Sequence, residues 1–332
     1  MLREVWPYVD AQRRAGHRVV LARLIGRDGP GSRPLGATMA VCADGTWRGS
    51  VSGGCVEAIV VEAAREVLGG AAAHVLCVSP GEQLLPWEDA PACAATLEVL
   101  IAGAPPEPVH GAILAALRED RPLAVRVESH PPYRWSVAAT TDRLGGEDGA
   151  FVEWLPPRRR LILAGATDLA ATVARLAHLL DWAVVVLDPR PDHVRSGAVP
   201  PTAVVEQAWP DAWLAVHRPR PEDAVVALTH DPRIDDAAIR AALAGGAGYV
   251  AALGSRATHA QRLRRLEGTP RLDRLVGPAG LDLGGASLAE TALSIMAEVV
   301  AAANGRGGTR LRDGDQPIRV LEVMSVNWIE SS

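Results

Sequence analysis

The stretch LILAGATDLAATVARLAHLLDWAVVVLD, residues 161–188, decides the fold of the second half of the chain. A continuous apolar run is followed by a glycine turn, a stripe of apolar residues at helical spacing and a second apolar run. Strands that are apolar at every position and joined by a helix are typical of a parallel sheet with helices on both faces. Two further runs, at 224–228 and 249–253, each precede a helical stretch. We therefore predict a Rossmann-like parallel-sheet domain over residues 159–303.

The first part of the chain has a different pattern, which predicts a small α/β amino-terminal domain over residues 1–105. Spacings of three and four between apolar residues from 56 to 68 indicate a helix. Short apolar runs indicate strands at 19–25, 38–43 and 97–101. Stretches rich in Gly, Pro and charge set the remaining boundaries, with an intermediate segment and linker at 106–158 and a tail at 304–332.

The composition excludes several classes of protein. Of 332 residues, 48% are hydrophobic and 22% are charged, which is enough apolar material for a sizeable core. The net charge of −5 and the aromatic content of 4% argue against a nucleic-acid surface. No apolar run approaches the ~20 residues that span a bilayer, and the first ten residues lack the apolar centre of a signal peptide. We therefore expect a cytoplasmic protein with no nucleic-acid or membrane partner.

The four cysteines are Cys42, Cys55, Cys77 and Cys93. None belongs to a Cys-x-x-Cys pair, so the sequence holds neither a zinc ribbon nor a thioredoxin motif and predicts no metal site made of protein ligands alone. In a reducing compartment all four are expected to be free thiols. Cys93, in the context Pro-Ala-Cys-Ala-Ala, is typical of a small buried hydrophobe, and it would gain a chemical role only if the fold brought it near Cys55.

The loop Ser52-Gly53-Gly54-Cys55 directly precedes the predicted helix. Two glycines allow the backbone to approach a ligand closely, and a helix amino terminus offers unpaired N–H groups and a partial positive charge. Such a position favours the thiolate form of a cysteine, which can bind a soft metal, accept sulfur or act as a nucleophile. The alternative is a tight turn in which the cysteine only packs and Glu57 only complements the helix dipole.

Gly165-Ala166-Thr167-Asp168 stands where a dinucleotide-binding protein has its glycine-rich turn. Asp188 ends the next strand 23 residues after Gly165, near the position of the ribose-binding acid. Thr167, however, replaces the glycine that lets the backbone reach a pyrophosphate, and Asp168 would repel a phosphate or else cap the helix. These residues predict a Rossmann-type fold and argue against NAD(P) binding.

Polar residues follow two later strands of the predicted sheet, as Thr229-His230 and as Gly254-Ser255-Arg256. In doubly wound sheets, ligands bind outside the carboxyl ends of the strands, so these residues are candidates to line one crevice with the Gly165 turn. Arg256 and the Ser255 hydroxyl suit a phosphate or a carboxylate. The alternative is that Asp231 and Asp235 cap a helix while His230 bonds to backbone, which the proline after Asp231 supports.

Together these motifs resemble the XdhC/CoxI family, the accessory proteins of xanthine dehydrogenase and of aerobic carbon-monoxide dehydrogenase. The resemblance covers most of the chain. It rests on the strings Gly31-Ser32-Arg33-Pro34, Gly36-Ala37-Thr38-Met39, Gly49 to Glu57, Asp188-Pro189-Arg190, Thr229-His230-Asp231, Gly254-Ser255-Arg256 and Pro278 to Asp282, in this order.

The resemblance implies a maturation role, with no turnover by the chain itself. Members of the family are thought to bind molybdenum cofactor, protect it, and assist its sulfuration and its insertion into a molybdenum hydroxylase of the xanthine or CO dehydrogenase type. The implied partners are such a client and a cysteine desulfurase, and a homodimer is compatible with this role. Cys55 would contact molybdenum or relay sulfur, with Cys93 as a weaker candidate. The implied cofactor-binding residues are Ser52, Gly53, Gly54, Gly165, Thr167, Asp188, Arg190, Thr229, His230, Gly254, Ser255 and Arg256.

Two motifs depart from the pattern of the family. Cys93-Ala94-Ala95 stands where the family has Cys-Gly-Gly, and Gly165-Ala166-Thr167-Asp168 stands where it has Gly-Ala-Gly-His. The added methyl groups restrict close approach of the backbone to a ligand, and the lost histidine removes a ligand or proton carrier. Two alternatives therefore stay open beside the chaperone: an NAD(P)-dependent oxidoreductase, and a cofactor-free scaffold that binds partner proteins.

Overall fold

A computed structural model describes residues 1–29, 31–78, 95–139 and 149–315 of the chain. The chain divides into two compact units between Pro157 and Arg158. Each unit has its own sheets and its own hydrophobic core. Among the described residues, no helix has both the length and the apolar content needed to cross a membrane.

The described part of the first unit contains a five-stranded antiparallel sheet with helices on both faces. Its strands are β1 (Val19–Asp28), β2 (Thr38–Cys42), β3 (Trp47–Gly49), β4 (His74–Val78) and β5 (Thr96–Gly103). Their order across the sheet is β3-β2-β1-β5-β4. The strands predicted at 19–25, 38–43 and 97–101 are therefore confirmed as β1, β2 and β5.

Three helices cover the two faces of this sheet. Side chains along a strand alternate between its faces, so each face carries apolar residues on which a helix can pack. α1 (Leu2–Arg14) and α3 (Glu107–Arg118) contribute to the core on the face of β1 that carries Leu21. α2 (Glu57–Leu68), the helix predicted from apolar spacing, packs on the opposite face, against Ala22. The α2 amino terminus therefore lies over one face of the sheet, with the Ser-Gly-Gly-Cys loop leading into it.

A three-stranded antiparallel sheet completes the described part of the first unit. It consists of β6 (Leu123–Glu128), β7 (Trp135–Ala138) and β8 (Ala150–Leu155), in the order β7-β6-β8. A buried ion pair ties it to the larger sheet: Arg23 on β1 donates to the Glu153 carboxylate on β8, which also accepts from the Leu2 N–H at 3.0 Å. Of the predicted intermediate segment, 106–158, all but the last residue thus belongs to the first unit.

The second unit contains a parallel sheet. Its strands are β9 (Arg160–Ala164), β10 (Ala183–Leu187), β11 (Val204–Glu206), β12 (Ala224–Ala227), β13 (Tyr249–Ala252) and β14 (Leu275–Val276). Their order is β11-β10-β9-β12-β13-β14, which is the 3-2-1-4-5-6 order of the Rossmann fold. The order reverses between β9 and β12, so ligands are expected at the carboxyl ends of these two strands.

Helices cover both faces of the parallel sheet, as the continuous apolar strands predicted. They are α4 (Asp168–Leu179), α5 (Pro191–Arg195), α6 (Pro210–Val216), α7 (Pro232–Gly245), α8 (Arg256–Arg265) and α9 (Leu288–Ala303). Two short 3-10 turns lie at Leu272–Arg274 and Leu311–Asp313. α4 and α9 share one core with alternate strand residues, whereas α6 and α7 share the core on the other face. The Rossmann-like fold of this unit is therefore confirmed.

Candidate functional site

The Ser-Gly-Gly-Cys loop is organised by a single carboxylate, that of Glu57 in the first turn of α2. Its Oε1 accepts hydrogen bonds from the Ser50 hydroxyl at 2.5 Å and from the Ser52 N–H at 3.0 Å. Its Oε2 accepts from the Ser52 hydroxyl at 2.6 Å and from the Gly54 N–H at 2.8 Å. Further donors to this carboxylate are the N–H groups of Val51, Gly53 and Val56. Glu57 therefore takes the place that a bound anion would take in such a nest of amides.

Glu57 is ionised at neutral pH. Burial raises its pKa, but the hydrogen bonds from Ser50 and Ser52 outweigh burial and lower the pKa to about 2. The loop curls back over the first turn of its own helix, so the N–H groups of Gly53 to Val56 are bound to Glu57 or to the Ser52 hydroxyl. The prediction that the helix amino terminus itself binds a ligand stays a prediction.

The curl of the loop depends on its two glycines. Gly53 and Gly54 have φ angles of 96° and 128°, a region in which side chains cause strain. Ser32 donates a hydrogen bond to the Ser52 carbonyl and so attaches the loop to the segment after β1. Cys55 follows Gly54 and is exposed. The loop thus presents Cys55 on a fixed backbone.

Cys55 lies at the wall of a shallow cavity whose enclosed volume is about 20 Å³, room for about one water, and whose volume is about 320 Å³ when space open to solvent is included. The cavity lies between the loop, the end of β1 and the start of β5. Its wall is formed by Leu24, Arg27, Gly31, Ser32, Arg33, Val51, Ser52, Cys55, Ala95 and Leu97. A thiol and two guanidinium groups therefore share one concave surface that is otherwise largely apolar.

The two arginines of this cavity were missed by the sequence analysis as site residues. Arg27 donates from Nη1 to the Arg33 carbonyl at 2.8 Å and, within the described residues, forms no ion pair. Arg33 pairs with Glu4 at 2.5 Å, while its Nε is buried without a hydrogen-bond partner among the described residues. The signal for Arg33 in the sequence is the string Gly31-Ser32-Arg33-Pro34, whereas Arg27 lies before that string and belongs to no motif. These donors can bind a phosphate or a carboxylate.

Cys93, the weaker predicted site residue, lies outside the described residues. A role for Cys93 beside Cys55 therefore stays a prediction. Cys42, Cys55 and Cys77 are free thiols, as predicted.

A second candidate site lies in the second unit, where the strand order reverses. Gly165 follows β9 with a φ of 117°. A Cβ at Gly165 would lie 2.5 Å from the Thr229 Cγ2 atom, so only glycine allows the two strand ends to approach this closely. The structure thus brings Gly165 and Thr229 together, as predicted from the positions of their strands.

The turn after β9 does not have the features of a phosphate-binding turn. The N-cap of α4 is Thr167, whose hydroxyl accepts from the Ala170 N–H at 3.1 Å. The alternative in which Asp168 caps the helix is therefore wrong, because Asp168 is already inside the first turn. Its acidic side chain stands where a phosphate would need positive charge.

Asp188 was predicted to stand near the ribose position of a dinucleotide, but its carboxylate is fully buried and already bound. It accepts from the Ala166 N–H at 2.9 Å and from Arg190 through the backbone N–H, Nε and Nη2 at 2.8–2.9 Å. Burial opposes ionisation, but the hydrogen bonds from Arg190 hold the pKa of Asp188 below its usual value. Asp188 and Arg190 therefore satisfy one another and leave little capacity for a ribose.

Thr229 and His230 are held by Asp235, which is buried in α7. The Asp235 carboxylate accepts from the Thr229 hydroxyl at 2.6 Å and from the His230 N–H at 3.1 Å. Burial raises the pKa of Asp235, and the guanidinium of Arg262 lies 3.6 Å away. The capping alternative is confirmed for Asp231, which is the N-cap of α7. It is wrong for Asp235, whose carboxylate oxygens accept hydrogen bonds from Thr229 and His230 in the loop after β12.

Gly254, Ser255 and Arg256 begin α8, with the Ser255 hydroxyl accepting from the Thr258 N–H at 3.0 Å as N-cap. Arg256 is exposed. Beneath them lies Arg262, which is buried and whose Nε and Nη1 have no partner among the described residues. Its Nη1 lies 3.8 Å from the position that a Cβ on Gly254 would take. The predicted Gly-Ser-Arg motif therefore lies beside the buried guanidinium of Arg262, which the sequence did not indicate.

Comparison with known families supports the resemblance seen in the sequence. The model of the XdhC and CoxI family matches residues 12–78, and the model of the XdhC Rossmann domain matches residues 161–299. The chain belongs to the XdhC and CoxI family.

Two curated relatives and one solved structure show how far the similarity extends. The chain is 31% identical over 151 residues to a probable subunit of xanthine dehydrogenase from Bacillus subtilis (strain 168), a match that spans 45% of the chain and 44% of that relative. It is 28% identical over 296 residues, 86% of the chain and 83% of the relative, to the molybdenum cofactor insertion chaperone PaoD of Escherichia coli (strain K12).

Over most of its length the chain is similar in fold to a crystal structure described as a xanthine dehydrogenase from Bacillus halodurans. The TM-score is 0.75, the sequence identity is 21%, and the match covers 91% of the chain and 96% of that protein. At this identity the likeness concerns the fold alone.

Proposed function

We propose that the chain binds molybdenum cofactor and assists its insertion into a molybdenum hydroxylase client. Membership of the XdhC and CoxI family and the similarity to PaoD over most of both chains support this proposal. The observation that carries it is the cavity of the first unit, where an exposed thiol on a fixed loop shares one wall with Arg27 and Arg33.

The chemistry of this cavity fits such a cargo. The cofactor joins a soft metal centre to a pterin and a phosphate. Cys55 is the soft ligand of the cavity, and thiolates are the protein ligands that soft metals prefer. Arg27, which forms no ion pair with any described residue, supplies a cation, and guanidinium groups bind phosphate oxygens through paired N–H donors. The apolar wall that includes Leu24 and Leu97 suits the face of a flat heterocycle.

Sulfuration of the cofactor is the finer part of the proposal. Cys55 would receive sulfane sulfur from the persulfide of a cysteine desulfurase, whose own thiol is released, and would hold it as a persulfide. Delivery of that sulfur as sulfide, which returns Cys55 to the thiol, would require a two-electron reductant such as a low-molecular-weight thiol. The exposure of Cys55 suits this role, because another protein must reach its Sγ atom. In this proposal Cys55 acts both in binding the cofactor and in its sulfuration, whereas Arg27 and Arg33 act only in binding it.

The first test is to purify the full-length protein from a host that makes molybdenum cofactor and to measure released pterin fluorescence and bound molybdenum. We expect close to one pterin per chain. Cys55→Ser and Arg27→Ala should each lower the bound amount about tenfold or more, because each removes a direct contact. Cys77→Ser and Arg65→Ala are the matched controls, since both residues are exposed and lie outside the cavity.

Equal pterin content in wild type and in all four variants would remove this cavity from the proposal. Absence of pterin even after incubation with excess free cofactor, together with capture of a client, would favour the scaffold that binds only partner proteins. An oxidoreductase would instead bind NADH or NADPH saturably. The paired state of Asp188 and the acidic Asp168 argue against that outcome.

A further inference from the structure

We propose that His17, Cys42 and Asp44 bind one divalent transition-metal ion of the class that zinc represents. This site is separate from the Cys55 cavity, and the proposal does not rest on the proposed function. One ligand atom from each residue lies within 4.8 Å of those of the other two. The centre of a triangle with sides of 4.8 Å lies about 2.8 Å from each corner, so small movements of the side chains would bring all three atoms to coordination distances of about 2.0–2.3 Å.

The fold brings these residues together from separate elements. In the antiparallel pairing of β1 with β2, Val19 stands opposite Cys42, so the pairing continued outward places His17 opposite Asp44. The Ala43 N–H donates to the Arg18 carbonyl at 3.0 Å and fixes the two segments where the regular ladder ends. No short sequence motif joins the three residues, which explains why cysteine spacing alone predicted no metal site.

The carboxylate of Asp44 is oriented for binding. The Thr46 N–H and hydroxyl both donate to Oδ1, at 2.8 and 2.6 Å, while Oδ2 lies 3.9 Å from His17 Nδ1. The hydrogen bonds from Thr46 lower the pKa of Asp44 to about 2, so the group is ionised at neutral pH. Outer hydrogen bonds such as those from Thr46 commonly position metal ligands. The Gln12 side chain lies 2.8 Å from His17 Nδ1, the nitrogen that faces Asp44, so an ion bound through Nδ1 would replace this contact.

Cys42 forms the inner corner of the triangle. It is 1% exposed, whereas His17 and Asp44 lie at the surface. This burial excludes a nucleophile that attacks a bulky substrate, but a bare ion can approach from the side of His17 and Asp44. On binding, the Cys42 thiol loses its proton to solvent and a sulfur–metal bond forms, with no change of oxidation state. The thiolate and carboxylate together carry the two negative charges that balance a divalent ion.

The donor set defines the class of ion. A thiolate and an imidazole favour zinc and its late first-row neighbours over magnesium and calcium, which prefer oxygen. Three protein ligands leave a fourth position of a tetrahedral site open to water. The Tyr8 hydroxyl, which lies beside this cluster and contacts Thr46 Oγ1 at 2.7 Å, is the neighbouring polar group.

The test uses the full-length chain, stripped of metal with a chelator and titrated with Co²⁺. We expect one equivalent to produce a thiolate-to-cobalt charge-transfer band, which Zn²⁺ then removes by displacing cobalt. His17→Ala and Asp44→Ala should each weaken cobalt binding about tenfold or more, and both positions are exposed enough for the variants to fold. Cys42→Ser should abolish the band. Cys77→Ser and His193→Ala are the matched controls and should retain band and affinity, and Cys55→Ser shows whether the exposed thiol of the other cavity binds cobalt instead.

The proposal is overturned by any of three results. These are a titration without a stoichiometric end point, a band that survives in Cys42→Ser but disappears in Cys55→Ser, or unchanged affinity in both His17→Ala and Asp44→Ala. Circular dichroism of each variant separates loss of binding from loss of fold. If Cys42→Ser fails to fold, the two surface variants alone decide the question.

Discussion

At the scale of single residues, Glu57 accounts for the shape of the loop that presents Cys55. One alternative from the sequence was that Glu57 only complements the helix dipole, but its two oxygens accept hydrogen bonds from Ser50 to Gly54 and from Val56. Sequence reasoning missed this role because it treated the loop as an open nest. Which acceptor fills such a nest depends on how the chain curls, and neighbours in the sequence do not reveal that.

Glu57→Gln should make the loop less stable and should change how stability depends on pH. The pKa of Glu57 in the folded chain, about 2, lies below the usual 4.5, so its contribution is present above pH 4.5 and is lost as the pH falls towards 2. The size of that contribution is roughly 3 kcal/mol. Urea unfolding of the full-length chain at several pH values measures it.

The control for this experiment is Glu62→Gln, an exposed residue on the same helix. We expect it to leave the free energy of unfolding within about 0.5 kcal/mol of wild type. An equal effect of the two substitutions, or a Glu57→Gln variant that keeps the acid dependence of wild type, would contradict the organising role of Glu57.

At the scale of elements, the ion pair between β1 and β8 joins the two sheets of the first unit. Arg23 and Glu153 are both almost completely buried, and the Arg23 guanidinium lies 5.0 Å from the centre of the Phe151 ring. Two of the Arg23 nitrogens, Nε and Nη1, have no hydrogen-bond partner among the described residues. The pair is therefore more important for fixing how the sheets meet than for adding net stability.

Glu153→Leu should destabilise the chain by about 3–5 kcal/mol, because it leaves a buried guanidinium without its counter-charge. Adding Arg23→Met should recover most of this loss, since the double variant replaces the pair by apolar side chains of similar volume. A double-mutant cycle in thermal or urea unfolding gives the coupling. Additive effects of the two substitutions would mean that the two groups do not depend on each other.

The elements themselves were largely predictable, and the reasons are physical. The central strands of the second unit are almost continuously apolar because both faces are covered, and this pattern can be recognised in the sequence alone. Asp188 shows what the sequence could not predict. Its position after a strand was predicted correctly, but its pairing with Arg190 depends on a turn that directs the arginine side chain back towards the aspartate. Arg262 was invisible for a similar reason, because a helical arginine is ordinarily a surface residue.

At the scale of the whole molecule, the chain consists of two units with separate cores. In the second unit, buried Asp223 accepts from Arg160 Nη2 at 2.6 Å and from Arg220 Nη2 at 2.9 Å, and Arg220 also donates to the Arg158 carbonyl. These contacts attach the first residues of the unit to the amino end of β12. The first residues of the unit are therefore fixed to its own sheet.

A fragment of residues 158–315 should fold by itself. It contains all six strands of the parallel sheet and the helices on both faces, so its core is complete. We expect cooperative unfolding and dispersed amide resonances in the isolated fragment. Asp223→Ala in the same fragment should lower the midpoint of unfolding, because it leaves Arg160 and Arg220 without their acceptor. A fragment with helical signal but no cooperative transition would show that the first unit is needed for its packing.

Glu57 also bears on how quickly a cargo could be taken up and released. A loop of glycines would ordinarily lose much conformational freedom when a ligand orders it, and that loss weakens binding and slows association. In this chain the ordering occurs during folding, since an internal carboxylate completes the loop before any cargo arrives. The hydrogen bonds to Glu57 hold the backbone of the loop from within, so under the proposed function we expect binding to change that backbone little. A protein that hands its cargo onward benefits from this property, because release does not require the holder to refold.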